Sequence, residues 1–189
     1  TENSGSESIA FTDTLLADDG VFRPLTRIHM NQGSIESVET GAPVEPARGQ
    51  RVLTAGLIDM HIHGIGNVNV DNGPEALREA ARLLPRYGVT RFFPTLVPGK
   101  ADGRDGFQKR IAHIAQVLEE IPGARIPGFH VEGPFLAVGG AACATLPGDV
   151  GMLDDILAAA GDRVRIMSIA PDAPNILPVI ERLMERDII

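Results

Sequence analysis

Cysteine is almost absent from this 189-residue chain: Cys143 stands alone, so no disulfide can form within it, which fits a reducing compartment such as the cytoplasm. Long apolar runs are missing as well. None approaches the roughly 18 residues expected of a transmembrane helix, so no membrane span is expected. Basic clusters are missing too. Lys and Arg total 17 against 25 Asp and Glu, for a net charge of -8 and a pI near 5.1. An acidic chain without a basic patch is a poor binder of nucleic acid or membrane surfaces, although one local arginine suffices to hold a small phosphate. There is no internal repeat at the residue level. The polar start, TENSGSES, has no apolar core of a signal peptide and reads as a frayed tail.

What is present is an ordinary globular composition, 43% hydrophobic, long enough for one or two domains with a core. Gly (21) and Pro (14) are plentiful, which predicts sharp connections between short elements. Residues 9–50 read as short strands with hairpin signals at Asp18-Asp19-Gly20 and at Gln32-Gly33. TGAPVEPARGQ breaks that pattern, and a boundary is placed near residue 50. From 51 the rhythm alternates between strand and helix. RVLTAGLIDMHIH is strand-like, and GPEALREAARLLPRYG is helical with Leu77, Ala80, Ala81 and Leu84 on one face. VTRFFPTLV, ARIPGFHVEGPF and RVRIMSIAP supply further strands. DGFQKRIAHIAQVLEEI, DDILAAAG and PNILPVIERLMER supply helices, the last with Pro178 in its first turn. The class is α/β, either a doubly wound sheet or part of a (β/α)8 barrel.

The first of these strands ends in His61 and His63. Side chains alternate along a strand, so Asp59, His61 and His63 share one face. In a barrel they point inward near the strand's C-terminal end, where barrel active sites are built, while Ile58, Met60 and Ile62 pack against helices. Neutral imidazoles one pleat apart both reach one divalent ion at about 2.0–2.1 Å. A single histidine near a strand end is more often a hydrogen-bonded structural residue. The H-x-H spacing beside Gly64 and Gly66 favours a metal. Asp59 either orients an imidazole or caps the turn. Further along, His130 and Glu132 share a face before Gly133-Pro134. A carboxylate completing a His-His pair gives a common hydrolytic zinc set with an open position for water. Without a metal, Glu132 reads as a buried acid paired with an arginine or a cap. His130, two residues deeper, reads as a supporting or packing residue. Thr95 reads as a hydroxyl closing its strand-to-loop turn, Asp172 as a ligand or a helix N-cap, and Cys143 as a surface or loop-packing residue with no activating neighbour.

Taken together, GLIDMHIHG, VTRFFPTL, GFHVEGPF and IAP, in this order within residues 52–189, resemble the N-terminal half of the N-acetylglucosamine-6-phosphate deacetylase family, in the amidohydrolase superfamily. HIHG marks the superfamily, and FFPTL with HVEGPF narrows it. Dihydroorotase-like members carry an arginine where this chain has Ile65, which counts against them. The resemblance implies an α/β fold in which residues 51–189 form a partial (β/α)8 barrel, its first four β-α units, and residues 1–50 form a β segment of a small sandwich. It implies a metal-dependent hydrolase that removes the N-acetyl group from an amino-sugar phosphate, a metal-bound water attacking the acetyl carbonyl. Glu132 matches the family's metal-binding glutamate, and His61 and His63 match its H-x-H. Zinc leads the candidate metals, ahead of manganese, iron and cobalt. Ala141 and Ala142 fall in the substrate-binding loop, where the family carries a Gly-Ala-His triplet whose histidine helps hold the sugar. Asp172 stands where the family has Glu. A cytoplasmic homodimer of the full-length protein is implied, with a small amino-sugar phosphate as its partner. A complete barrel takes about 250 residues, so the resemblance places the general acid/base Asp beyond residue 189. The altered loop also admits another amidohydrolase, of the N-acyl-amino-acid deacylase type. The half-barrel length admits a non-catalytic homologue acting as a partner subunit.

Overall fold

A computed structural model describes residues 6–18, 20–99, 102–139 and 143–189. The chain divides into two compact units, Thr1–Ala55 and Gly56–Ile189.

The first unit contains β1 (Ser6–Ala10), β2 (Thr14–Asp18), β3 (Val21–Asn31), β4 (Ser34–Thr40) and β5 (Arg51–Leu53). The long β3 pairs antiparallel with β1, β2 and β4. Its hairpin to β4 turns on Gln32 and Gly33, both left-handed at φ 48° and 77°, which matches the right-handed twist of the flanking strands. Leu15, Leu25 and Ile28 form the buried apolar set of this unit. Two expectations are corrected. Ser6–Ser8, expected in a frayed tail, belong to β1 and pair with β3, while residues 1–5 lie outside the described residues. Arg51–Leu53, expected to run on into the H-x-H strand, pair parallel with β2 instead, so this unit extends past residue 50.

The second unit begins with β6 (Leu57–Ile62) and a small hairpin, β7 (Gly64–Ile65) and β8 (Val68–Asn69). There follow α1 (Pro74–Leu83), β9 (Val89–Leu96), α2 (Gly103–Ala115), β10 (Phe129–Glu132), α3 (Val150–Ala159), β11 (Val164–Ser168) and α4 (Leu177–Glu185). The strands form one parallel sheet in the order β11-β10-β9-β6, which follows the sequence without the reversal of a doubly wound sheet. Ile189 continues beside β11, accepting from the Met167 N–H at 2.8 Å and donating to the Arg165 carbonyl at 3.0 Å.

Local rules account for the elements. The α1 stripe of Leu77, Ala80 and Ala81, continued by Leu84, is buried as its spacing predicts. Pro74 and Pro178 sit in first turns, where a missing N–H costs nothing. Asp149 caps α3 by accepting from the Met152 N–H at 3.0 Å. Asp172 does not cap α4, which starts only at Leu177, and is exposed in the preceding turn. Strand alternation sends Phe92, Leu96, Phe129 and Val131 into the core with Leu77, Ile111, Ile114, Leu153 and Ile156. Each such side chain contributes about 1.5–3 kcal/mol on burial. The opposite face of β10 carries His130 and Glu132.

The expected packing of Ile58 and Met60 against helices does not occur. They are 55% and 62% exposed, beside Leu57 at 60%. β6 is the edge of the sheet, and α1, which follows it, packs against the β7–β8 hairpin and the turn at Val70–Asn72 rather than over Ile58 and Met60. Among the described residues, no helix is long and apolar enough to cross a membrane.

Candidate metal centre

His61 lies at the C-terminal end of β6 and His63 immediately follows it, where the pairing of β6 with β9 is irregular. Asp59 faces Phe92, but the next partners are Ile62 and Pro94, so β6 carries one residue more than β9 across this interval. Such a bulge re-aims side chains. After His63 the chain folds back tightly: a Cβ on Gly64 would lie 2.0 Å from the Val68 carbonyl oxygen, so this position admits only glycine. Glu132 ends β10, two strands away.

These three side chains converge. His61 Nε2 lies 3.1 Å from His63 Nε2, and Glu132 Oε2 lies 3.1 Å from His63 Nε2 and 3.6 Å from His61 Nε2. They form the group of potential metal-ligating side chains found among the described residues. Bonds of about 2.0–2.1 Å in tetrahedral geometry separate neighbouring ligand atoms by roughly 3.3 Å. The triangle fits one face of such a polyhedron. Its donors, two imidazoles and a carboxylate, suit zinc and related divalent ions. The imidazoles are about half exposed, leaving the other side of the triangle open.

The surrounding residues fall into place unevenly against expectation. Asp59 accepts from the main-chain N–H of His61 at 3.1 Å, so it supports the backbone of the bulge. Thr95 is fully buried and does not close its own turn; its hydroxyl accepts from the Ile62 N–H at 2.9 Å, across the strand interface. His130 is buried, donates through Nδ1 to the Met60 carbonyl at 2.8 Å, and places Nε2 2.8 Å from the Ser168 hydroxyl. Its ring meets that of His61 edge-on at 4.7 Å. Burial holds its pKa below the usual 6.5, which favours the neutral ring. Of the two readings for Cys143, the structure shows loop packing: it is buried, not at the surface. Burial, with the Glu132 carboxylate next, raises its pKa above 9.0, so the thiol stays protonated and is a poor nucleophile. Ala141 and Ala142 lie outside the described residues.

One cluster was not anticipated. Asp71 accepts from the Val97 N–H at 3.1 Å and faces Arg110 Nε at 3.0 Å, while Arg110 also reaches Asp102 at 2.5 Å and the Val97 carbonyl at 2.6 Å. The Asp71–Arg110 contact is ionic, since the Nε hydrogen is not aligned with the carboxylate oxygen. Burial raises the Asp71 pKa above 3.8. The partners come from three separate segments, and no local pattern links them.

Comparison with known proteins bears on what this arrangement serves. No family model matches the chain. It is 28% identical to the N-acetylglucosamine-6-phosphate deacetylase of Bacillus subtilis over 97% of its own length and 50% of that protein. It is also 28% identical to the N-acetylgalactosamine-6-phosphate deacetylase of Escherichia coli O157:H7, over 86% of its length and 44% of that protein. The chain thus spans about half the length of the curated relatives it matches. The crystal structure of N-acetylglucosamine-6-phosphate deacetylase from Thermotoga maritima superposes with a TM-score of 0.71, covering 97% of this chain and 47% of that one at 24% identity, a likeness of fold. By sequence and by fold, the chain is a homologue of the N-acetylglucosamine-6-phosphate deacetylase family, corresponding to the N-terminal half of its members.

Proposed function

We propose that this chain provides the metal-binding half of a hydrolase that removes the N-acetyl group from an amino-sugar phosphate. The observation that carries this reading is the triangle of His61, His63 and Glu132, with edges of 3.1 to 3.6 Å. These residues would hold a divalent ion, zinc foremost. When bound, such an ion supplies Lewis acidity that activates water and polarises the acetyl carbonyl. The chain's own contribution is to fix three ligand atoms at the ends of β6 and β10, on either side of β9, and to leave one side of them open. The sequential parallel order of β6, β9, β10 and β11 supports reading the second unit as the first four β-α units of an amidohydrolase barrel, with β1–β5 as part of a small sandwich.

The substrate class rests on the relatives, one acting on the gluco and one on the galacto form of an N-acetylated amino-sugar 6-phosphate. Ala141 and Ala142 are assigned to the sugar-facing loop in this reading, and no residue of this chain is assigned to the proton transfers. Acetate release from both sugar phosphates, measured on the natural gene product, is the test. The reading expects turnover that Glu132→Gln lowers by several orders of magnitude. Undiminished turnover in that variant would overturn it.

A further inference from the structure

We infer that His130 and Thr95 are positioning residues that hold the β6 bulge in the shape that brings His61 and His63 together. This rests on the metal-centre reading above. The bulge lies where Ile62 of β6 stands opposite Pro94 of β9. The main-chain groups of residues 60–62 find partners among side chains. The Met60 carbonyl takes the His130 Nδ1–H at 2.8 Å, the Ile62 N–H goes to the Thr95 hydroxyl at 2.9 Å, and the His61 N–H goes to Asp59 at 3.1 Å.

His130 does more than satisfy one carbonyl. It sits on β10 directly opposite Thr95 of β9, and its other nitrogen meets Ser168 of β11 at 2.8 Å. One ring therefore ties three strands of the sheet: β6, its own β10, and β11. It also packs edge-on against His61 at 4.7 Å, a centroid separation ordinary for paired rings. The carbonyl partner dictates the tautomer, because only Nδ1–H can donate to Met60, and Ser168 then donates its hydroxyl hydrogen to Nε2. A histidine that merely fills a buried space has no need of that tautomer or of β6. Removing supports of ligand residues typically costs roughly 10–100-fold in metal affinity.

Two readouts on the 189-residue protein test this. In the zinc-free protein, long-range proton–nitrogen correlation spectra should show His130 protonated at Nδ1 and bare at Nε2. The reverse tautomer would overturn the inference whether or not zinc binds. Zinc titration calorimetry should then show about 10–100-fold weaker binding in His130→Phe, and near-wild-type binding in His130→Asn, whose amide N–H replaces Nδ1. Wild-type affinity in His130→Phe would sink the positioning role. Should that variant fail to fold, Thr95→Val, which is nearly isosteric, carries the same expectation of weakened binding, and unchanged affinity there is equally contrary. A wild-type protein that binds no zinc refutes the metal reading instead, a result distinct from a wrong tautomer.

Discussion

His63 and Glu132 meet with Nε2 and Oε2 3.1 Å apart although a whole strand, β9, lies between β6 and β10. Neighbouring strands are about 4.8 Å apart, so strand ends two places apart lie roughly 10 Å from each other. The contact requires both side chains to lean over β9 from the same face of the sheet. That face is opposite the one buried against α2 and α3, and it is where a ligand shared by several strands is most easily held.

Each member of this group should therefore matter to one bound ion. His61→Ala, His63→Ala and Glu132→Gln should each weaken zinc binding by at least an order of magnitude, as measured by titration calorimetry. His29→Ala, in the first unit, should leave it unchanged. Equal affinities across all four variants would mean that zinc binds elsewhere.

Much of this centre is legible in the sequence. His61 and His63 announce themselves by spacing, and the period-2 rule places them on one face. Glu132 follows from the same rule applied to HVE. The roles of Thr95 and His130 are less legible, because the decisive contacts are cross-strand and depend on a bulge. Pro94 in the middle of a strand is the local sign of irregular pairing, but it does not say which neighbouring side chains supply the missing partners. The misassignment of Arg51–Leu53 has a similar origin: a short strand pairs with whichever edge tertiary structure offers, here β2. The hidden cluster of Asp71, Asp102 and Arg110 has no sequence spacing at all.

The exposed side chains of Leu57, Ile58 and Met60 make β6 an apolar, unprotected edge. Such edges promote association. Met60→Lys and Ile58→Lys should reduce self-association of the 189-residue chain in sedimentation velocity and lower its binding of the dye ANS. If both properties are unchanged, this edge is not sticky in solution.

Asp71 should leave a mark on acid stability. Its pKa is raised above 3.8 by burial, so the folded state takes up the proton before the unfolded state does. As pH falls from neutrality through the raised value toward 3.8, this residue's contribution shifts in favour of folding. Denaturant titrations should show the stability of wild type relative to Asp71→Asn increasing over that window. A difference that is flat or falls with decreasing pH would contradict the assignment.

Cys143 should be chemically quiet. It is 5% exposed and its thiol is held protonated by burial and by the carboxylate of Glu132. Iodoacetamide should label the native protein at mildly alkaline pH at least tenfold more slowly than the unfolded protein, followed by mass spectrometry. Comparable rates would show the loop to be open.

The most direct test of the central claim is a crystal of the zinc-loaded protein measured at the zinc absorption edge. The account predicts one anomalous peak within about 2.0–2.2 Å of Nε2 of His61, Nε2 of His63 and a carboxylate oxygen of Glu132. A peak at other side chains, or none at saturating zinc, would contradict it.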